Sequence, residues 1–166
     1  MNPLSIIRLI IALFMLGLIL SGITAFPLLH ELNLLCAILG VPNVPHPAGY
    51  TGLTWWILTV REALQQTYSR FPFIAYGTDW LAFGHLTIAL FFIGPLIDPT
   101  RNTWVIQAGL IACVGVIPLA LICGPIRGIP IYWQLIDCTF GIAGFIPLWL
   151  ALKLARQLGT ADTIRG

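Results

Sequence analysis

Four long apolar stretches, separated by short polar breaks, dominate the pattern of hydrophobic and polar positions. They cover residues 6–29, 78–96, 99–124 and 130–152. A transmembrane helix needs about 20 predominantly apolar residues, so each stretch is long enough to cross a membrane. The pattern therefore predicts four membrane-spanning helices.

Capping signals mark the starts of two of these spans. Asp98 followed by Pro99 is typical of a helix N-cap with proline at the first helical position. Arg101 follows closely enough to pair with the Asp98 carboxylate. Thr78 or Asp79 is expected to cap the second span in the same way.

The connection between the first two spans, residues 30–76, has a different composition. Residues 28–39 are apolar with a polar patch, which suits a helix lying at the membrane interface. Prolines and glycines between residues 42 and 52 break regular structure. Residues 54–68 regain a helical pattern, with Arg61 outside the apolar stripe. We therefore predict a cap of short interfacial helices on one membrane face.

The composition agrees with a membrane protein. The chain is 58% hydrophobic and 8% charged, whereas soluble domains carry roughly 25% charged residues. Its net charge of +2 is small and its basic residues are scattered, which argues against nucleic acid as a partner. We predict one all-α domain over residues 1–166: an integral membrane four-helix bundle with an extracytoplasmic cap.

Four spans place both termini on the same side of the membrane. That side collects five of the eight Lys and Arg residues, namely Arg8, Arg101, Lys153, Arg156 and Arg165. The positive-inside rule then predicts cytoplasmic termini. We expect the protein in a bacterial inner membrane, with the cap on the outer side.

The first apolar stretch has a second interpretation, a secretory signal peptide. Arg8 precedes the apolar run, and Ile23-Thr24-Ala25 stands where a cleavage site would lie. Ile23 is not the small residue that such a site requires at this position. A membrane-spanning helix is therefore the preferred interpretation.

Two ionisable residues lie deep inside the predicted spans. His85 follows Thr78 by seven residues, and Asp137 follows Pro130 by seven. At 1.5 Å per residue, each would lie roughly 10 Å below the same membrane surface. An ionisable residue inside the membrane is by default a hypothesis for a functional site. We therefore predict that His85 and Asp137 meet in an intramembrane polar pocket.

Small residues predict which face of the last span meets protein. Gln134, Asp137, Gly141 and Gly144 fall on one helical stripe, and small residues mark close approaches between transmembrane helices. Asp137 is thus expected to face protein rather than lipid. Further polar side chains near this level are predicted to bind the ligand of the pocket: Ser21, Thr24, Asp79, Tyr132, Gln134 and Cys138.

A simpler alternative gives the same residues a structural role. Asp137 would bond His85, or Gln134 and a hydroxyl, as polar glue between helices. Such bonds contribute only about 0.6 kcal/mol on average. The sequence does not decide between a ligand site and this glue.

No metal site is assigned and the cofactor is unknown. A bis-histidine haem needs two histidines at one level, and only His85 is deep. His85, Cys113 and Cys138 would be suitable soft metal ligands, but their spacing is not diagnostic and buried cysteine usually behaves as a small apolar residue. Cys36 and Cys123 would both lie near the outer surface, where an oxidising compartment permits a disulfide.

Two segments resemble known membrane proteins. Residues 76–85, YGTDWLAFGH, and residues 94–102, GPLIDPTRN, resemble a family of uncharacterised bacterial four-helix membrane proteins, a resemblance that implies no activity. Residues 132–147 are similar to the aromatic-rich last helix of the EXPERA superfamily, which includes the sigma-2 receptor and the emopamil-binding sterol isomerase. That resemblance implies a sterol-like ligand and, in the isomerase, proton transfer by carboxylates and histidine. This chain has one clear deep carboxylate, Asp137.

The preferred functional hypothesis is a pocket that binds a lipophilic molecule, such as a lipid, an isoprenoid or a quinone. His85 and Asp137 would contact its polar group, and whether they also transfer a proton is left open. One alternative is a non-catalytic structural or assembly subunit of a larger membrane complex. Another is a small proton-coupled transporter, which would have to act as an oligomer because four spans without a repeat are too few for a pathway.

Overall fold

The computed structural model describes residues 2–41 and 47–165. The predicted loop residues Pro42, Pro45 and His46 lie outside the described residues. The described part of the chain is helical and contains no strand. Its elements in chain order are α1 (Pro3–Ala25), α2 (Leu28–Ile38), α3 (Gly52–Arg70), a 3₁₀ turn (Pro72–Ala75), α4 (Tyr76–Phe91), α5 (Ile93–Ile97), α6 (Thr103–Pro118), a π-helical segment (Leu119–Cys123), α7 (Gly124–Ile126) and α8 (Ile131–Arg165).

Four helical segments are long and apolar enough to cross a membrane. They are Pro3–Ala25, Pro72–Ile97, Thr103–Ile126 and Ile131–Thr160. Each contains most of one apolar stretch of the sequence. The prediction of an all-α chain with four potential membrane-spanning helices is therefore confirmed.

The second span begins earlier than the sequence pattern indicated. A 3₁₀ turn starts at Pro72 and leads directly into α4 at Tyr76, because proline suits the first position of a helix. The Thr78 hydroxyl donates to the carbonyl of Ala75 at 2.7 Å, within helical backbone that has already begun. The cap predicted at Thr78 is therefore not formed.

The third span begins later than predicted, after a turn organised by Asp98. The Asp98 Oδ1 accepts hydrogen bonds from the Thr100 hydroxyl at 2.8 Å and from the Arg101 backbone N–H at 3.1 Å. The Arg101 Nε lies 3.6 Å from the other carboxylate oxygen, so the predicted pairing is confirmed. Because α6 begins only at Thr103, Asp98 caps this turn rather than the helix.

The last helix is longer than the predicted span, which ended at residue 152. It runs for 35 residues, from Ile131 to Arg165, or about 50 Å at 1.5 Å per residue. The residues after Leu152 include Lys, Ala, Arg, Gln and Leu, which all favour helix. The helix therefore continues past the end of its apolar sequence.

The chain divides into two compact units: Ile19–Leu86 forms one, and the remaining residues on either side form the other. We call the latter the flanking unit and the former the central unit. The flanking unit has a buried apolar core made of Ile7, Ile11, Phe92, Val105, Ile106, Cys113, Leu148, Ala151, Leu152 and Ala155.

Glycines bring α6 and α8 of the flanking unit close together. A Cβ atom on Gly141 would lie 2.5 Å from the carbonyl oxygen of Cys113, and one on Gly144 would lie 2.8 Å from the Cys113 Sγ. Both glycines are buried. The prediction that Gly141 and Gly144 face protein is therefore confirmed.

Arg8 has a local role in addition to its predicted contribution to topology. Its Nε donates to the carbonyl of Leu96 at 3.1 Å, and its Nη2 donates to the carbonyl of Ile97 at 2.9 Å. These carbonyls belong to the last turn of α5, where helical carbonyls lack partners and favour a cation. Arg8 thus ties α1 to the end of α5.

The central unit packs α2 against α3 and the end of α1 against α4. The buried residues of α2 and α3 include Cys36, Ile57, Leu58 and Arg61. Arg61 is only 6% exposed, so the prediction that it lies outside the buried face is wrong. The burial follows its spacing of three and four residues from Leu58 and Ile57, which places it on their face.

Replacing Gly141 by alanine should destabilise the protein. The new methyl group would press on a backbone carbonyl, which cannot move aside as a side chain can, and overpacking of this kind costs about 1–3 kcal/mol. Gly115→Ala is the matched control, because a Cβ there would meet no atom within 4 Å. We expect thermal unfolding in detergent to show a lower Tm for Gly141→Ala only, and an equal Tm for the two variants would contradict this packing.

The turn at Asp98 should contribute stability that depends on pH. The Arg101 N–H and the Thr100 hydroxyl stabilise the ionised carboxylate, which lowers the pKa of Asp98 below its ordinary value of 3.8. Because the folded-state pKa is depressed, this contribution is present above the ordinary pKa and is lost as the pH falls through the folded value.

The comparison is with Asp98→Asn, which keeps the acceptor oxygen but removes the charge. We expect the Tm of the wild-type protein to exceed that of the variant above about pH 5 and the difference to shrink below about pH 4. A difference that stays constant down to about pH 3 would contradict the role of the charge.

Candidate functional site

The central unit contains an open groove that joins four aromatic rings and one carboxylate. It has a volume of about 320 Å³ and is lined by Phe26, Tyr76, Asp79, Trp80 and Phe83. Phe26 lies in the turn between α1 and α2, and the other four residues belong to α4. The groove is the strongest candidate site because one of the predicted ligand-binding residues, Asp79, lines it.

Helical spacing explains why four of these residues share a face. Tyr76, Asp79, Trp80 and Phe83 stand at positions i, i+3, i+4 and i+7, which lie along one side of a helix. The rings of Tyr76 and Trp80 meet at 5.9 Å with an interplanar angle of 83°, and those of Trp80 and Phe83 meet at 5.9 Å and 89°. Edge-to-face pairs of this kind stabilise one another by about 0.5–1.5 kcal/mol. The groove wall is therefore ordered by its own contacts.

Asp79 supplies the polar group of this groove. Its side chain is half-buried and lies in the first turn of α4, directly after the 3₁₀ turn. Among the described residues of the central unit, Asp79 has no hydrogen-bond or ion-pair partner. The carboxylate is therefore not occupied by any described side chain of this unit.

His85 makes a hydrogen bond within its own helix. Its Nδ1 lies 2.8 Å from the carbonyl oxygen of Leu81. A carbonyl oxygen can only accept, so the proton lies on Nδ1, and in the neutral ring the lone pair is on Nε2. This bond satisfies one ring nitrogen locally and leaves Nε2 as the atom that a ligand would meet.

Asp79 and His85 occupy different sides of α4. Six residues separate them, which corresponds to about 120° around the helix and about 9 Å along it. Between them runs the face that packs on α1: a Cβ on Gly22 would lie 3.0 Å from the Ala82 carbonyl oxygen and 3.1 Å from the Leu86 side chain. The groove thus contains Asp79 without His85.

The two predicted hydroxyl residues of α1 are exposed. Thr24 donates its hydroxyl proton to the Leu20 carbonyl at 2.9 Å, a bond that satisfies threonine within its own helix. Ser21 lies beside Gly22 on the helix surface. Neither residue lines the groove around Asp79.

The predicted residues of α8 belong to the flanking unit. Asp137 is half-buried and has no hydrogen-bond partner among the described residues of that unit. Cys138 is buried, Tyr132 is half-buried, and all four cysteines of the chain are free thiols. The predicted meeting of Asp137 with His85 stays a prediction.

Gln134 has a structural task at the turn before α8. It is 3% exposed, and its Nε2 donates to the Ile129 carbonyl at 2.7 Å. The amide lies over Gly124, where a Cβ would come within 2.6 Å of the Gln134 side chain. Its Oε1 is buried without a protein partner among the described residues. Gln134 therefore holds the turn closed and presents one unused acceptor.

The residues that the structure describes contain no cluster of three or more His, Cys, Asp or Glu suited to a metal ion. Comparisons of the chain with protein-family models, curated proteins and solved structures find no match. The class of protein is therefore defined by the helices themselves. Their lengths and composition are those of an all-α integral membrane protein.

The sequence prediction missed the aromatic side of this site. It did not single out Tyr76, Trp80, Phe83 or Phe26 as ligand-binding residues. The spacing of Tyr76, Asp79, Trp80 and Phe83 was the signal that could have identified the stripe. Phe26 carried no such signal, because it reaches the groove through the turn after α1.

The hydrogen bond of His85 predicts its tautomer. We expect ¹⁵N spectra of histidine-labelled protein, recorded with the ring neutral, to show His85 protonated at Nδ1 rather than Nε2. His85→Gln removes the signal and so assigns it. A neutral His85 protonated at Nε2 would contradict the bond to Leu81.

Proposed function

We propose that this protein binds a lipophilic molecule with a polar group, of the lipid, isoprenoid or quinone class, in the groove around Asp79. The observation that carries the proposal is a half-buried carboxylate that has no partner among the described residues of its unit and is set among four aromatic rings. Exposed aromatic surface alone would suit ordinary lipid contact. The unpartnered carboxylate is what indicates a specific ligand.

The position of the groove in its span suits an amphipathic ligand. Asp79 lies in the first turn of α4, shortly after the span begins at Pro72. Tyrosine and tryptophan, such as Tyr76 and Trp80, are enriched at the level where lipid headgroups meet the hydrocarbon. A ligand could therefore place its polar group at Asp79 and its apolar body in the membrane.

The size of the groove is suited to enclosing part of a ligand. Ligand pockets usually have volumes of about 300–1,000 Å³, and this groove, at about 320 Å³, is near the lower limit. It can hold a ring or a headgroup, while a long chain would extend into lipid. This agrees with its open form and its exposed rings, since Tyr76, Trp80 and Phe83 are 60%, 58% and 55% exposed.

The chemistry of Asp79 narrows the ligand further. An ionised carboxylate only accepts hydrogen bonds, so it favours a ligand with a donor, such as an alcohol or the reduced, quinol form of a quinone. Hydrogen bonds to a charged group contribute about 1.5–3 kcal/mol. That range corresponds to about 10- to 150-fold in affinity.

Binding rather than catalysis is the function that this groove supports. General acid–base catalysis usually needs a second positioned group to give or take the proton. His85, the nearest candidate along α4, lies on a different side of the helix. The aromatic rings offer enclosure and no further acid or base except the Tyr76 phenol.

Lipid extraction and mass spectrometry of the purified protein test the proposal. We expect a lipophilic molecule to co-purify with the wild-type protein and to fall at least about tenfold in Asp79→Asn, as the loss of a charge-assisted bond requires. Trp80→Leu should also reduce the amount of co-purified molecule, because this substitution removes the central aromatic ring of the groove wall.

The matched controls substitute residues of the same two types, a tryptophan and an aspartate, that lie outside the groove. Trp104→Leu alters a tryptophan of α6 that is 67% exposed and lies outside the groove, and Asp98→Asn alters a carboxylate in a turn. Both should retain the ligand. Equal retention by all four variants, or no bound lipophile in the wild-type protein, would refute the proposal.

A further inference from the structure

A second groove, of opposite charge, lies near the C-terminal end of α8 in the flanking unit. It has a volume of about 340 Å³ and is lined by Trp149, Leu152, Lys153, Arg156 and Gln157. These positions follow the spacing of three and four residues that keeps side chains on one face of a helix. The groove therefore combines two cations, an amide, an aromatic ring and an aliphatic side chain.

The length of α8 is sufficient to bring this groove to a membrane surface. Trp149 follows Ile131 by 18 residues and Arg156 follows it by 25, which correspond to about 27 Å and about 38 Å along the helix. The hydrocarbon core of a bilayer is about 30 Å thick. For a hydrocarbon core that starts at Ile131, these lengths put the tryptophan near the far edge of the core and the two cations at the level of the headgroups.

Among the described residues of the flanking unit, the two cations have no acidic partner. Lys153 places its Nζ 5.5 Å from the centre of the Trp149 ring. Neither Lys153 nor Arg156 forms an ion pair with a described residue of the flanking unit. No described acidic residue of this unit therefore neutralises the positive charge of the groove.

We propose that this groove binds the phosphate of an anionic phospholipid. Arg156 can hold phosphate oxygens with two parallel N–H donors, and Lys153 adds a compact charge. Gln157 can donate to the glycerol or headgroup oxygens. This site is independent of the groove around Asp79, whose polar group is an anion.

A lipid is favoured over free phosphate because the groove is only partly polar. Trp149 and the buried Leu152 form its apolar side, at the level where the acyl chains of a phospholipid begin. Free phosphate would leave that side uncovered. A lipid would satisfy the cations and cover the apolar side together.

Native mass spectrometry of the full chain in detergent tests this, with equal amounts of phosphatidylglycerol and phosphatidylcholine that carry the same acyl chains. Each basic residue near an anionic surface corresponds to about a fivefold effect on binding. We expect the wild-type protein to prefer phosphatidylglycerol, and the double variant Lys153→Gln/Arg156→Gln to lose up to about 25-fold of that preference.

Control variants separate the groove from overall charge. Arg70→Gln/Arg127→Gln also removes two exposed cations, but outside the groove, and should keep the preference. Trp149→Leu keeps both charges and should weaken phosphatidylglycerol binding. Lys153→Arg should bind as the wild-type protein does, and Asp79→Asn should leave this preference unchanged.

Three outcomes would overturn the inference. One is the absence of a preference for phosphatidylglycerol in the wild-type protein. Another is an equal loss of the preference in Lys153→Gln/Arg156→Gln and in Arg70→Gln/Arg127→Gln, which would indicate general electrostatic attraction. The third is complete displacement of the lipid by millimolar inorganic phosphate, which would indicate a site for the free ion.

Discussion

The close approach of α6 and α8 is the contact on which the flanking unit depends. In lipid no hydrophobic force drives helices together, so their association rests on van der Waals packing and hydrogen bonds. Gly141 allows the α8 backbone to approach the Cys113 carbonyl, and Gly144 accommodates the Cys113 side chain. The core around Leu148 and Ile106 continues this contact.

The lipid surroundings of a membrane protein also explain where its polar groups form hydrogen bonds. Inside the hydrocarbon a backbone or side-chain polar group must find a partner in the protein, and Thr24, His85 and Gln134 each bond a nearby carbonyl. Arg8 does the same at the end of α5. Asp79 differs from these residues: it has no partner among the described residues of the central unit, and the proposed ligand would supply one.

The four spans could be predicted from the sequence, because the length of an apolar stretch is a local property. It was less accurate at their ends, since the 3₁₀ start at Pro72 and the Asp98 turn depend on specific hydrogen bonds. The stripe of Gly141 and Gly144 could be predicted from composition and spacing. The full lining of the groove around Asp79 could not be predicted from the sequence, because Phe26 reaches it from the turn after α1. Burial of Arg61 likewise depends on the packing of α2 and α3.

The two grooves differ in charge but follow from one constraint. A charged side chain at the centre of a bilayer is costly, and the cost falls towards the headgroups. Asp79 stands in the first turn of its helix, and Lys153 and Arg156 stand beyond the apolar part of theirs. Each charge adjoins a tryptophan that lines the same groove. A ligand of the kind proposed for either groove would therefore be amphipathic, because it would meet a charge on one side and an aromatic ring on the other.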